Sequence, residues 1–294
     1  MSATSNDHGR ALECLLVQTL KNNFNNLEET ENCKHCQIRD IVKTEKLPIN
    51  IKNDMEKYCQ LLKKWLETFL DSKTRYKIDR LSDDAAIEGD VTDICIFSDA
   101  LKKQLNLSIK HNHNATKHQR IPALMQSLGI SKGTLADIKY RNEYNTLKEN
   151  ILAEIRKNFP GTSMFNEIKN KNPLYIDDKI YRPLCILYKN YLDKNMNPET
   201  AKALFQFLIG NTGFYKCINY PQYVLIYDFN SVSLPKSYST FMPNNSHIEI
   251  NFDNGFMLNM RLHTASRHYQ NLSLKFDTQI KEKPSSITET KFNK

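Results

Sequence analysis

The chain has 294 residues, a formal net charge of +8 and a pI near 9.0, and 40 % of it is hydrophobic, with 14 Phe and 14 Tyr. That apolar content suffices for a packed core and excludes global disorder. No apolar run approaches the ~18–20 residues that cross a bilayer, and residues 1–8 lack a signal-peptide pattern, so no membrane partner and an intracellular, cytoplasmic location are expected.

Seven cysteines (Cys14, Cys33, Cys36, Cys59, Cys95, Cys185 and Cys217) are spread along the chain and odd in number, which argues against a secreted disulfide framework. Cys33-Lys34-His35-Cys36 is a lone C-x-x-C without the second ligand pair that a structural zinc site needs. The excess of Lys and Arg suits a polyanion, because bound phosphates release counterions. Charge alone does not separate a nucleic-acid protein from an ordinary basic one.

In chain order, Gly9–Leu20 reads as a helix with Leu12, Leu15, Leu16 and Leu20 on one face and Glu13 on its margin. Residues 22–50 are polar and charge-mixed, loop with one short helix at most. Asp54–Leu70 is a second helix, with Tyr58, Leu61, Leu62, Trp65, Leu66 and Phe69 at spacings of three and four and Trp65 in the core. Residues 71–87 form a charged connector. Asp93–Phe97 and Leu105–Lys110 are strands joined by a hairpin-length loop. Period two puts Ser108 and Lys110 on one face of the second strand.

Residues 121–158 are largely helical, broken at Ser131-Lys132-Gly133 and stopped by Pro160-Gly161. Further helices fill 162–209, with breaks near Pro173, Pro183 and Pro198, and the last spans Glu199–Ile209. Tyr223–Tyr227, His247–Phe252, Phe256–His263 and Ser273–Phe276 are strands, with a hairpin turn at Asp253-Asn254-Gly255. The result is an α+β protein: a core with helical insertions over 1–212, a strand-rich region over 213–282 and a frayed polar tail over 283–294.

An acid at the start of one strand and a lysine on the next match the geometry of the PD-(D/E)xK nuclease core. Carboxylates there hold Mg²⁺ and the lysine neutralises charge at the scissile phosphate. Asp93 and Lys110 are that pair, and Ser108 stands where a second acid is usual. By spacing alone, the pair is equally an ordinary surface Asp and a solvated Lys.

The wider pattern is more specific. Glu88-Gly89-Asp90-Val91-Thr92-Asp93, Ser108-Ile109-Lys110-His111-Asn112-His113 and Lys117-His118-Gln119-Arg120 resemble the HaeIII family of type II restriction endonucleases. So do Gly9-Arg10-Ala11-Leu12-Glu13, Phe207–Gly210 with Phe214-Tyr215-Lys216, Gly255–Ser266 and Ser273–Asp277, in the same order along nearly the whole chain. The resemblance implies a restriction-endonuclease-like αβββαβ core followed by a C-terminal antiparallel strand region. It also implies Mg²⁺-dependent cleavage of double-stranded DNA at a short palindrome, GGCC by family. A homodimer on that palindrome and a cognate DNA methyltransferase in the same system follow from it.

Ser108 leaves the centre one carboxylate short; many nucleases of the resembled superfamily supply a Glu from the helix before the sheet, so the resemblance implies Glu13 with Asp93 as metal ligands, Lys110 as the catalytic lysine and Asp90 and Glu88 in reserve. Asp90 has the alternative of capping the turn before its strand. His111, Asn112, His113, Lys117, His118 and Arg120 suit phosphate contact better than metal binding, since Mg²⁺ prefers oxygen. Arg261, His263 and Lys275, with Arg267 and His268 nearby, are candidates for DNA contact in the strand-rich region, where Arg suits guanine. Tyr215 and Lys216 are further candidates. A repair or mobile-element nuclease, or a catalytically silent DNA-binding module of the same fold, remains as the alternative reading.

Overall fold

The computed structural model describes residues 5–81, 91–112, 115–211 and 213–294. Its elements run α1 (Ser5–Asn23), β1 (Leu27–Glu29), α2 (Glu31–Glu45), α3 (Ile49–Leu66), β2 (Tyr76–Arg80), β3 (Ile94–Ser98), β4 (Lys103–His111), β5 (Ala115–Arg120), α4 (Leu124–Ser127), α5 (Leu135–Asn158), α6 (Phe165–Lys171), α7 (Arg182–Lys194) and α8 (Pro198–Ile209). Then come β6 (Tyr215–Asn219), β7 (Tyr223–Asp228), β8 (Tyr238–Asn244), β9 (His247–Phe252), β10 (Met257–Thr264), β11 (Leu274–Glu282) and β12 (Glu289–Asn293). They form two compact units, and the division is not the contiguous one expected from composition. One unit joins residues up to 114 with 211–232 and 285–294, and the other joins 115–210 with 233–284.

The first unit is a mixed sheet in the order β1-β2-β3-β4-β6-β7-β12. β1 lies parallel to β2 and β4 parallel to β6, while the remaining pairs are antiparallel. The apolar faces of α1 and α3 (Leu12, Leu16, Leu20, Met55, Tyr58 and Leu62) pack with Ile94, Leu107, Ile109 and Cys217 into one core. The second unit holds a five-stranded antiparallel sheet, β5-β11-β10-β9-β8. The rings of Tyr188 on α7 and Phe205 on α8 seal one of its faces, 4.7 Å from Phe276 and 5.2 Å from Phe252. Gly255 makes the tight turn from β9 to β10 with φ +87°, a left-handed conformation that a side chain would strain.

Several elements depart from the sequence reading. Residues 31–45 form a full helix, started by Thr30, whose hydroxyl accepts from the Cys33 amide. Its apolar stripe is weak because its buried positions include Asp40 and Thr44. The charged connector contains β2, where the inward positions are Tyr76, Ile78 and Arg80. Residues 283–294 are not a frayed tail: β12 pairs with β7, Phe292 packs against the core and Ile287 is buried. Lys294 also ion-pairs with Asp54 on α3.

Removing residues 285–294 should therefore cost about 3 kcal/mol of stability, the burial of Ile287 and part of Phe292, and bare the β7 edge to association. A lowered urea midpoint together with increased light scattering is the expected result.

Candidate active site

The site is built on β3 and β4. The Asp93 amide donates to the Leu107 carbonyl and so extends the ladder ahead of β3. Its carboxylate oxygen Oδ2 accepts from the Ile109 amide at 2.6 Å, the Lys110 ammonium at 3.1 Å and the Ser108 hydroxyl at 3.4 Å. The expected strand face is thus realised, with Ser108 and Lys110 meeting one acid. Ser108 is buried, whereas the side chains of Asp93 and Lys110 keep 23 % and 28 % exposure, enough to meet a substrate. Where an acid would offer a metal an oxygen, Ser108 offers Asp93 a donor.

Glu13 arrives from α1, buried rather than on the helix margin. Its Oε2 accepts from Arg80 at 2.7 Å and from Arg10 at 3.0 Å. Arg80, fully buried in β2, also donates to Asp40 on α2 at 2.8 Å and to the Gln37 side chain at 3.1 Å. Arg39 and Lys43 close the same network around Asp40, whose carboxyl they and Arg80 hold well below the usual range despite its burial. Burial first, and the negative charge of Asp93 second, raise the Glu13 pKa against the pull of Arg80 and Arg10. Glu13 therefore feels Asp93 as a like charge. Sequence reasoning missed Arg80 and Asp40. The available signal was an Arg at an inward position of the alternation Tyr76-Lys77-Ile78-Asp79-Arg80.

The donor set fits a hard divalent cation. Asp93 Oδ1 and Glu13 Oε1 receive no hydrogen bond from any described residue, because each acid's partners converge on its other oxygen. The repulsion that Glu13 meets from Asp93 would also be relieved by a cation between them. No group of three or more His, Cys, Asp or Glu side chains placed to hold a metal occurs among the described residues. The reserve acids Glu88 and Asp90, like His113, lie outside those residues. Cys33 is buried, its thiol pushed up to about 12 by burial and by Glu29.

The other candidate residues fall in several places. Lys216, considered as a DNA contact, is 2 % exposed inside the sheet, its Cα registered with Ser108. Burial and the Lys110 charge bring its pKa down to about 7. Tyr215 is also turned inward, its ring 4.9 Å from Trp65 and 5.5 Å from Phe69. His111 ends β4 with its ring at the Asn219 amide (3.1 Å), and burial and His8 lower its pKa. Asn112 is exposed, with φ +52°. Lys117 faces the helix side of its sheet, its ammonium 4.7 Å from the centre of the Phe207 ring. His118, Arg120, Arg261, His263 and Lys275 share the opposite face of that sheet.

A mixed sheet with helical cover, bearing an acid and a lysine on adjacent strands beside a helix-borne glutamate, is the arrangement of a restriction-endonuclease-like nuclease. A family model described as "HaeIII restriction endonuclease" matches residues 9–234, and the chain belongs to that family, which makes it a type II site-specific endonuclease. The type II restriction enzyme HaeIII of Haemophilus aegyptius is 26 % identical over 227 residues, covering 68 % of each chain. No solved structure matches. No helix among the described residues is long and apolar enough to cross a membrane.

Two measurements check this electrostatic reading. Arg80→Met strands Glu13 and Asp40 in the core and should lower stability by about 3 kcal/mol in urea denaturation. Lys216 has a folded-state pKa below that of an unfolded lysine. Its penalty is therefore full below pH 7 and is relieved as pH rises from 7 towards the ordinary lysine value. The melting temperature of Lys216→Met relative to the parent should be highest near pH 6.5 and decline by pH 9.5; a constant difference would refute the assignment.

Proposed function

We propose that the chain hydrolyses phosphodiester bonds of double-stranded DNA at a short palindromic site, using Mg²⁺ held by Asp93 and Glu13. The observation that supports this most directly is the convergence of Lys110 and Asp93 at 3.1 Å beside a glutamate whose pKa the Asp93 charge raises. Mg²⁺, when bound, supplies Lewis-acid polarisation of the phosphate and activation of water.

The protein's own part is positional and electrostatic. The Ile109 amide and Ser108 hydroxyl fix the Asp93 carboxylate, leaving Oδ1 for the cation. Arg80 and Arg10 fix Glu13 by Oε2, leaving Oε1. Lys110, partly exposed, extends its ammonium towards the scissile phosphate and offsets the negative charge that builds as the bond breaks. The face that carries His118, Arg120, Arg261, His263 and Lys275 meets the DNA, with His111 and Asn112 as further phosphate contacts.

Resemblance to the family favours GGCC as the target, a homodimer matching its symmetry, and a methyltransferase that protects host sites. Plasmid incubated with Mg²⁺ should give discrete fragments whose ends share one sequence. Lys110→Ala should slow cleavage about 100- to 1000-fold. Glu13→Gln should weaken Mg²⁺ binding in calorimetry as well as cleavage. Ends without a common sequence would favour a repair or mobile-element nuclease, and specific, salt-sensitive binding without cleavage a silent module.

A further inference from the structure

The five-stranded sheet is asymmetric in a way the catalytic chemistry does not use. Its inner face is sealed by the aromatic contacts of α7 and α8. Its outer face is ordered in lateral rows by the strand register. One row runs His118, Asp277, Arg261, His247 across β5, β11, β10 and β9. Beside it run Arg120, Lys275 and His263. On the other side lie Gln279, Asn259 and the acid Glu249. Arg261, Arg120 and Lys275 are the permanent cations of the first two rows, and Asp277 is the one acid within those rows.

Asp277 is buried at the base of this face, its side chain 8 % exposed, while Arg261 stands 56 % exposed above it. The Arg261 guanidinium is 3.9 Å from Asp277 Oδ2, the His118 ring 3.5 Å from Oδ1, and the Gln279 amide donates to Oδ2 at 3.4 Å. A buried acid amid exposed cations does little for solubility. It orients side chains that would otherwise sample many rotamers. At 3.9 Å the Arg261 guanidinium is drawn to Asp277 as an ion pair without a hydrogen bond, so its donors stay available for bidentate pairing with guanine O6 and N7. Asn259, next on β10 along the same face, has a buried side-chain oxygen without a hydrogen-bond partner, and an asparagine amide pairs with adenine in the same groove.

Dimensions select which strands reach bases. Strands lie ~4.8 Å apart and the major groove is ~12 Å wide, sized for a two-stranded ribbon. Side chains from the adjacent strands β10 and β11 span that width, which leaves Arg120 of β5 at a phosphate wall.

We infer that β10 and β11 present this face to the DNA major groove, with Arg261 as a guanine-reading residue and Asp277 as the residue that positions it. The inference rests on the chain's acting on double-stranded DNA, and it assigns base discrimination to side chains outside the catalytic unit.

The test is cleavage of a random-sequence DNA library with end sequencing, in parallel with kcat and KM on the selected site. Arg261→Ala should relax preference at one guanine and lower kcat/KM at the preferred site about 10- to 100-fold, with the salt dependence of binding unchanged. Arg261→Lys should not restore it, because lysine lacks the fork. Asp277→Asn should raise KM with kcat retained, the signature of misplacement rather than lost chemistry. Arg120→Ala, a phosphate-type contact on β5, should instead lower the salt slope by about one without changing base preference. Unchanged end sequences and kcat/KM in Arg261→Ala, with the melting temperature maintained, would overturn the inference. Should the parent fail to cut DNA at all, the nuclease reading fails separately. Selection of bound sequences from the same library by the parent and by Arg261→Ala then decides the face on its own, identical selected sequences refuting it.

Discussion

Arg80 is a full positive charge sealed from water, and it is tolerable there only because Glu13 and Asp40 meet it at 2.7 and 2.8 Å. These three residues come from β2, α1 and α2, so one ionic cluster fixes how two helices sit on the edge of the catalytic sheet. The cluster also has a direction. By engaging Glu13 through Oε2 alone, it leaves the other oxygen uncommitted. A carboxylate near Asp93 would otherwise swing away from a like charge, and the arginine holds it in place. For the metal site proposed above, the buried network would act as a rigid scaffold does for a preorganised ligand set.

The sheet supplies the rest by alternation. Side chains on one face of β4 come every second residue, so Ser108 and Lys110 reach the same acid while Leu107 and Ile109 fill the core. The parallel neighbour β6 then places Lys216 beside Ser108, where burial and the charge of Lys110 lower its pKa. Lys110 is thus the partly exposed ammonium of this patch, while Lys216 is sealed from water.

The central strand pair and α1 were legible because their apolar periodicity is unbroken: Leu12, Leu15, Leu16 and Leu20 at helical spacing, and Leu105, Leu107 and Ile109 in alternation. The Asp93–Lys110 contact followed from the same alternation. The missed pieces share a cause. β2 carries Arg80 and α2 carries Asp40 at inward positions, so charged residues stand where periodicity looks for apolar ones. Their burial is meaningful only in pairs that are distant in sequence. Lys216 and Tyr215 read as surface residues for the same reason, since residue type announces exposure and only packing against Trp65, Phe69 and Ser108 reverses it. β12 was invisible because a polar edge strand needs its partner β7 to be a strand at all.

β4 finds its parallel neighbour β6 only after residues 115–210 have been spent on the other unit, and β12 joins β7 only after 233–284 have been spent there too. The catalytic sheet is interrupted twice in the gene's order. During synthesis, β3 and β4 leave the ribosome with one flank unpaired and wait for partners more than one hundred residues away. Such long-range pairings fold slowly. Asp93 and Lys110 emerge early, yet their strand pair is enclosed on both sides only after the whole of the α5–α8 segment has appeared. In this chain the strand pair that carries Asp93 and Lys110 therefore gains its last neighbour only after the helices that support the second sheet have been synthesised.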